Sequence, residues 1–380
     1  MSIRVLFVVS SLRIGGAEHV LTEILKRVDR RILEPHLALL EREGNFLERV
    51  PPDVRVHDVG ARRARMATLP LARLCWRLRP QAVVSFAAQL NSAAILAMPL
   101  MPRGTRVLVR EGANVTLPEI AGSARRTIYK LLYPHADTII CQSNDMVERM
   151  AHCFGIPAHK LVRIYNPVDV DALEQIAGTH SPYRGTGPHL VAVGRFVPVK
   201  GMDLLVEALP VVLRDHSHAD LTLVGGGPQE RELHSLARSL GIESLVHFAG
   251  FQGNPYPFIR HSDLLVVPSR SEVFPNVILE AVALGTPVVA TDCPGGIREI
   301  AQRTKRLVLT RVDSDALAHA INRKLAGITA RRSPHEAEDD FLREFSPERI
   351  IPLYQEIIER TVRRSEVPLT ARKKEEAALT

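Results

Sequence analysis

The sequence predicts an α/β protein built from two parallel-sheet domains, and three observations predict it. Short runs that are apolar throughout recur along the chain, among them Val5–Val9, Ala82–Ser85, Leu190–Val193 and Leu264–Val267. Stretches with apolar residues at helical spacing separate them, and strands apolar on both faces belong to sheets covered on both sides by helices. The pattern also stops and restarts. Between its two halves Ile164–His189 (IYNPVDVDALEQIAGTHSPYRGTGPH) is rich in Pro, Gly and Asp, which places an interdomain connection near Asn166.

Composition agrees and excludes several classes. The 380 residues carry 49 Lys and Arg against 42 Asp and Glu, a formal charge of +7, with 46% hydrophobic and 24% charged residues. General disorder is excluded. Four scattered cysteines without a C-x-x-C pair argue against a disulfide framework or a zinc cluster and suggest a reducing compartment. No apolar run approaches the ~20 residues that span a bilayer. The chain is therefore expected to be cytoplasmic, touching a membrane at most at its surface. A net basic charge raises nucleic acid as a partner. However, aromatics are only 5%, and the basic residues gather in one segment without a stacking motif, so no nucleic acid is expected.

Taken in order, the first strand Val5–Val9 leads into Gly15-Gly16. Val20, Leu21, Ile24, Leu25 and Val28 then mark a helix. Ala61–Pro80 holds six arginines and no acid, with Leu71, Leu74, Cys75 and Leu78 on one helical stripe and Trp76 beside Arg73 and Arg77. Two readings stay open for it: a stripe packed on the first domain, or a basic face seated partly by insertion on an anionic membrane surface. Strands at Ala82–Ser85, Arg106–Val109 and Thr138–Cys141 complete the first half. The second half sets strands at Leu190–Val193, Leu221–Val224, Leu264–Val267 and Pro287–Ala290 between helices over Met202–Leu213 and Gln229–Leu240. Pro275 starts a further helix that Gly285 ends.

Three stretches could carry chemistry. GRFVPVKG, Gly194–Gly201, follows a strand and puts Arg195 and Lys200 at its C-terminal end, where α/β folds bind ligands. Arg engages phosphate oxygens bidentately and Lys acts as a mobile point charge; on spacing alone two solvated loop cations are the plainer reading. SRSEVFPNVILEAVALGTPVVATDCPGG, Ser269–Gly296, contains Glu280 in a helix apolar nearly all round, with Glu272 at its entrance. A buried carboxylate must be paired or hydrogen-bonded, by a core partner or by ligand hydroxyls. Gly15 and Gly16 let backbone approach a ligand at a helix start that favours an anion. Neither G-x-G-x-x-G nor a Walker lysine is present there, and the GGGP at Gly225–Pro228 reads as a tight turn.

Together these residues resemble the retaining glycosyltransferases of family 4, which have the GT-B fold: two Rossmann-like parallel-sheet domains facing across a cleft. The resemblance runs from Ile3 to about Arg360. Its specific part is Glu272 and Glu280 within SEVFPNVILEA followed by GTPVVAT, with Arg195, Lys200, the glycine pair and the NPVD of Asn166–Asp169 in matching order. The resemblance implies residues 1–166 as acceptor-binding domain, rejoined by a C-terminal helix over 347–364, and residues 167–346 as nucleotide-sugar-binding domain. Residues 365–380 are expected to be a disordered tail.

The resemblance further implies that Arg195 and Lys200 hold the donor diphosphate and that Glu280 bonds the ribose hydroxyls. Glu272 would contact the donor sugar, near the backbone of Phe274, Pro275 and Asn276, and Gly15 and Gly16 would admit the diphosphate. No metal is expected, because two cations supply the charge at the leaving group. A UDP-sugar is favoured over a GDP-sugar, with a glycan or polyprenyl-diphosphate-linked acceptor. In LVREGANV, many members of the family have a histidine where this chain has Gly112, which leaves Arg110, Glu111 and Asn114 as the polar candidates, Glu111 the catalytic one. Retention is implied to proceed by the front-face route, with the leaving phosphate taking the acceptor proton. SFAAQLNSA, Ser85–Ala93, is similar to bacterial polysaccharide and N-glycan assembly N-acetylhexosaminyl transferases and puts Asn91, with His19, on the acceptor side, against a simple capping role for Asn91. The rival functions are a nucleotide-sugar epimerase, a phosphorylase, or a silent nucleotide-sugar-binding protein.

Overall fold

A computed structural model of the chain describes residues 2–13, 15–44, 46–86, 88–112, 124–185, 187–327 and 339–363. Asn114 and the tail expected over 365–380 lie outside them. The chain divides into two compact units: Met1–Pro167 with the segment that begins at Pro347, and Val168–Ser346.

The first unit contains β1 (Ile3–Val9), β2 (Leu33–Leu39), β3 (Arg55–Asp58), β4 (Ala82–Ser85), β5 (Arg106–Arg110), β6 (Thr138–Cys141) and β7 (Leu161–Arg163). They form one sheet in the order β3-β2-β1-β4-β5-β6-β7. Every pairing is parallel; Val5 lies beside Pro35 on one side and Ala82 on the other. The second unit contains β8 (His189–Val193), β9 (Asp220–Val224), β10 (Val246–Gly250), β11 (Leu264–Val267), β12 (Val288–Thr291) and β13 (Leu307–Thr310), ordered β10-β9-β8-β11-β12-β13 and again parallel.

Each sheet grows outward from its first strand in one direction and then, from the fourth strand, in the other. This order opens a crevice at the C-terminal ends of the two strands where the direction changes. In the first unit those strands are β1 and β4; in the second they are β8 and β11. The central strands carry no polar face because helices cover both sides: Val5, Leu6, Phe7, Val83, Leu190 and Leu265 are all fully buried. In the second unit the helices Met202–Asp215 and Ser314–Ala326 close one side, with Leu205, Leu209, Leu317 and Ile321 in the core.

The C-terminal helix Pro347–Arg363 is amphipathic and buries Ile350, Ile351, Tyr354, Ile357 and Ile358. Its polar contacts join it to the first unit: Gln355 accepts from the Asp29 amide at 2.9 Å, and Thr361 bonds Thr138 at 3.0 Å. Arg110 ties the two passages of the chain together. Only 1% exposed, it donates from Nε to the Tyr354 hydroxyl at 3.0 Å and from its terminal nitrogen to Asn166 Oδ1 at 2.5 Å. Its guanidinium also lies 5.3 Å from the Phe86 ring, which stacks with Tyr354. A cation this deep survives only when its donors are satisfied. Asn166 lies one residue before the first unit ends at Pro167, and Asp169 then caps the helix Val170–Ala177 through the Ala172 amide.

Ala61–Pro80 forms a short 3-10 turn, Ala64–Met66, and the helix Thr68–Leu78. Leu71, Leu74 and Cys75 are buried, and burial pushes the Cys75 thiol up to about 12. This corrects the insertion reading for Leu71, Leu74 and Cys75, which the unit itself covers; Leu78 is half-buried, and Met66 and Leu69 are exposed. Arg73, Trp76 and Arg77 remain exposed, and Arg79 lies over the Trp76 ring at 4.2 Å. Among the described residues no helix is long and apolar enough to cross a membrane.

The Arg110 network yields a prediction. Tyr354→Phe keeps the stacking on Phe86 but strands the Arg110 Nε–H, and should cost about 1–3 kcal/mol in urea unfolding of the full chain. An unchanged midpoint and slope would mean that the bond carries no stability.

Candidate functional site

The loops that follow β8 and β11 meet at the second unit's crevice. After β8 the chain turns through Pro198–Lys200 and reaches Gly201 at φ +64°, where a Cβ would stand 2.0 Å from the Pro268 carbonyl. Only glycine allows the two loops to touch there. The contact sets the Lys200 ammonium 2.7 Å from Glu272 Oε1, and the Ser269 hydroxyl donates to the same oxygen at 2.6 Å. Glu272 is 7% exposed, so its charge is held by a cation and a hydroxyl rather than by water. Behind it Gly295, at φ +120°, would put a Cβ 1.4 Å from the Glu272 carbonyl, while the Glu272 amide donates to Pro294 O at 3.0 Å. The Pro294–Gly296 loop thus clamps the Glu272 backbone.

Arg270 braces the same loop from outside. It bonds both Asp203 oxygens, at 2.8 and 2.6 Å, and donates to the Pro198 carbonyl at 2.8 Å. Burial pushes the Asp203 carboxyl up, but the hydrogen bond and charge of Arg270 outweigh it and hold the group below the usual carboxylate range. Arg195, by contrast, is exposed, and its guanidinium makes no ion pair among the described residues. The site therefore offers one anchored cation and one free one at the end of β8. Such a pair suits a diphosphate.

Glu280 lies on the helix Asn276–Ala283. The sequence suggested a helix buried nearly all round, and no residue of it is exposed. Ile278, Leu279, Ala281, Val282 and Ala283 face the core, whereas Asn276, Val277 and Glu280 share a half-buried face. Desolvation raises the Glu280 carboxyl to about 7, opposed only by a hydrogen bond from Tyr256. Phe274 is buried with its ring 5.9 Å from that of Phe345, so Phe274, Pro275 and Asn276 can present only backbone and the Asn276 side chain. Gly225 packs against the Gly194 carbonyl, where a Cβ would not fit.

In the first unit Gly15 is extended at the start of the helix Gly16–Arg27, and a Cβ there would meet only the movable Glu18 carboxylate. His19, half-buried in that helix, has its ring 6.0 Å from that of Phe46. Asn91, Arg110 and Glu111 are 0%, 1% and 0% exposed. Asn91 does not cap its helix, Ala88–Ala97; it donates to the Arg110 carbonyl at 3.1 Å and to the Tyr133 hydroxyl at 3.3 Å. The Tyr133 hydroxyl in turn donates to Glu111, and burial together with the Glu111 charge holds it well above its ordinary range. As folded, Asn91 and Glu111 meet at the Tyr133 hydroxyl, and none of the three side chains presents itself to solvent. Among the described residues a Cβ at Gly112 would meet nothing within 4 Å.

The structure therefore joins Lys200 to Glu272 and sets Arg195 on the same loop. Ser269, Arg270, Asp203, Tyr256 and Gly295 were not foreseen as partners. Only Gly295 had a signal, as half of a glycine pair inside the quoted motif.

Two family models match, and together they cover well over half of the chain. "Glycosyltransferase Family 4" matches residues 14–172, and "Glycosyl transferases group 1" matches residues 187–326. A Campylobacter jejuni N-acetylgalactosamine-N,N'-diacetylbacillosaminyl-diphospho-undecaprenol 4-alpha-N-acetylgalactosaminyltransferase is 26% identical over 80% of this chain and 85% of its own length. The lipopolysaccharide core biosynthesis glycosyltransferase LpsE of Rhizobium meliloti is 27% identical over 69% of this chain and 74% of its own. An uncharacterized glycosyltransferase of Methanocaldococcus jannaschii is 30% identical, but over only 45% of this chain and 44% of that protein. Among solved structures, Anabaena HepE in complex with UDP and glucose superposes with a TM-score of 0.77 at 20% identity, covering 94% of this chain and 99% of that one. At that identity the likeness establishes the fold, which is that of the GT-B glycosyltransferases.

Proposed function

The chain belongs to the family 4 glycosyltransferases, and we propose that it moves a hexose or N-acetylhexosamine, with retention, from a nucleotide diphosphate sugar to a glycan or lipid-linked acceptor in cell-surface polysaccharide synthesis. The observation that carries the reading is the placement of Lys200, Arg195 and Glu272 at the crevice of the second unit's sheet. The donor diphosphate lies against Arg195 and Lys200, with Lys200 shared between it and Glu272. Glu280 accepts from the ribose hydroxyls. Glu272, held by Ser269, faces the donor sugar.

In the reaction the bond from the sugar's anomeric carbon to the diphosphate oxygen breaks, and its electron pair stays on the diphosphate. The acceptor oxygen bonds the same carbon from the same face, and its proton passes to a phosphate oxygen. Fixed cations beside the departing diphosphate stabilise the charge that develops there, so the step is proposed to need no metal. A UDP-sugar is the favoured donor, supported by the UDP bound in the Anabaena neighbour. The names of the Campylobacter and Rhizobium relatives support an acceptor on a diphospho-polyprenol or in a lipopolysaccharide core. An enzyme acting on such an acceptor works at the inner face of the cytoplasmic membrane. Arg73 and Arg77 beside the exposed Trp76 form the basic face that would hold it there.

Three outcomes test this. Lys200→Ala should lower sugar transfer by about 2–4 kcal/mol of transition-state stabilisation, that is, by some two to three orders of magnitude; undiminished release of nucleotide from UDP-sugars, with chelator present, would sink the reading. Second, the carboxylate form of Glu280 is the better acceptor for ribose hydroxyls, and its carboxyl sits at about 7. Uridine affinity should therefore rise as pH increases toward that value and level off above it, and Glu280→Gln should flatten the profile. A profile of the same shape in both proteins would remove Glu280 from the ribose. Third, because Leu71, Leu74 and Cys75 are buried, binding to anionic vesicles should fall away in high salt and in the Arg73→Gln/Arg77→Gln variant. Co-sedimentation of the variant equal to the parent's would assign the contact elsewhere.

A further inference from the structure

Lys200 ends a turn only three residues long, Pro198–Lys200. Two internal bonds close that turn, from the Lys200 amide to Val197 O at 2.9 Å and from the Gly201 amide to Pro198 O at 3.2 Å. Neither fixes it against the loop after β11. Three links do: Gly201 packs on the Pro268 carbonyl, Lys200 bonds Glu272, and Arg270 supplies the third. The Arg270 amide donates to Val199 O at 2.8 Å, and its guanidinium donates to the Pro198 carbonyl at 2.8 Å. The same guanidinium holds both oxygens of Asp203, in the first turn of the helix Met202–Asp215, at 2.8 and 2.6 Å. One side chain thus ties the chain down on both sides of Lys200.

An ion pair whose side chains are 38% and 29% exposed contributes little to stability, so this geometry has another use. A diphosphate that takes a share of Lys200 draws its ammonium from Glu272 and weakens one of the three links. The bonds of Arg270 involve neither the Lys200 ammonium nor the Glu272 carboxylate, and they stay whole while that charge shifts. We propose that Asp203 and Arg270 form a positioning pair, which keeps the Lys200 backbone in place while its ammonium exchanges Glu272 for the diphosphate. The inference rests on the transferase reading and adds to it two residues that act only through Lys200. Misplacing a reacting or charge-stabilising group by about 1 Å can cost on the order of a hundredfold in rate, which is what the pair prevents.

Calorimetric titration of the full chain with UDP tests this and requires neither the donor sugar nor an acceptor. Lys200→Ala should weaken UDP by roughly tenfold or more, and Arg270→Gln by about three- to tenfold, with the thermal midpoint nearly unchanged. Arg270→Lys keeps the charge but loses the two-pronged grip, and should fall between the parent and Arg270→Gln. The sharpest comparison is Arg270→Gln made in the Lys200→Ala chain. There it should cost UDP nothing further, because a positioning residue has no effect once the group it positions is gone. Should Arg270→Gln unfold the chain, Asp203→Asn, nearly identical in size, takes its place in the same comparison. Losses that multiply in the double variant, or undiminished UDP affinity in the single one, would overturn the positioning role and leave the donor reading standing. Failure of the donor reading looks different: Lys200→Ala then binds UDP as tightly as the parent, and the pair has nothing to position.

Discussion

The bond between Lys200 and Glu272 joins two loops separated by 72 residues of sequence, and the chemistry available to the second unit follows from it. A glutamate only 7% exposed cannot stay ionised without compensation, so the loop after β11 folds back until a cation reaches it. Gly201 and Gly295 make that approach sterically possible, one on each side of the carboxylate loop. The result is a carboxylate and an ammonium fixed at the sheet's crevice before any ligand arrives. A ligand anion that takes a share of Lys200 need not first create the site. It meets donors already oriented, which lowers the reorganisation that binding or a charged transition state would otherwise demand.

The first unit solves a similar problem in another way. Two of its buried charges, Arg110 and Glu111, are adjacent in sequence and lie at the end of β5, away from the central crevice. Arg110 donates to the neutral side chains of Tyr354 and Asn166, and Glu111 accepts from Tyr133. These bonds give Arg110 a definite direction, toward the C-terminal helix. That helix contributes the final face of the first unit's core although it comes after the whole second unit in sequence. The polar knot around Arg110 thus works as a register mark for a long-range contact that apolar side chains alone would specify less sharply.

Legibility in the sequence followed from burial. β1, β4, β8, β11 and β12 are covered on both faces and read as unbroken apolar runs. β3, with exposed Arg55 and Asp58, and β10, with exposed His247, lie at sheet edges and carry too few apolar residues to stand out. β2 was hidden by Glu34, Pro35 and His36, which interrupt its apolar run although the strand is central and mostly buried. In the site, residue types and spacing identified Arg195, Lys200, Glu272 and Glu280. Which of them touch was not legible, because pairing across 72 residues depends on strand order. Apolar neighbours in the sequence foretold the desolvation of Glu280, whose helix exposes no residue. Asn91 misled. On the helix Ala88–Ala97 it looked like a ligand contact or a cap, and its true partners, the Arg110 carbonyl and Tyr133, come from later in the chain.

Arginines without a carboxylate partner among the described residues occur at both crevices and elsewhere on the surface, Arg73 and Arg77 among them. Many of the basic residues are neutralised locally: Arg30 by Asp53, Arg106 by Asp137, Arg149 by Asp145, Arg270 by Asp203. Such pairs, partly exposed, contribute little stability each, but they cancel the field around the sheet edges. Arg195 and the cluster Arg62, Arg63 and Arg65 are left without a carboxylate among the described residues, and each lies beside the crevice of its own sheet. Uncompensated like charges repel, so three arginines within four positions raise the free energy of the empty protein. Water and salt screen that repulsion only in part, and an anion that enters removes it. The same reasoning explains why the formal charge of +7 is not spread evenly: a surplus serves binding only where no carboxylate is near enough to absorb it.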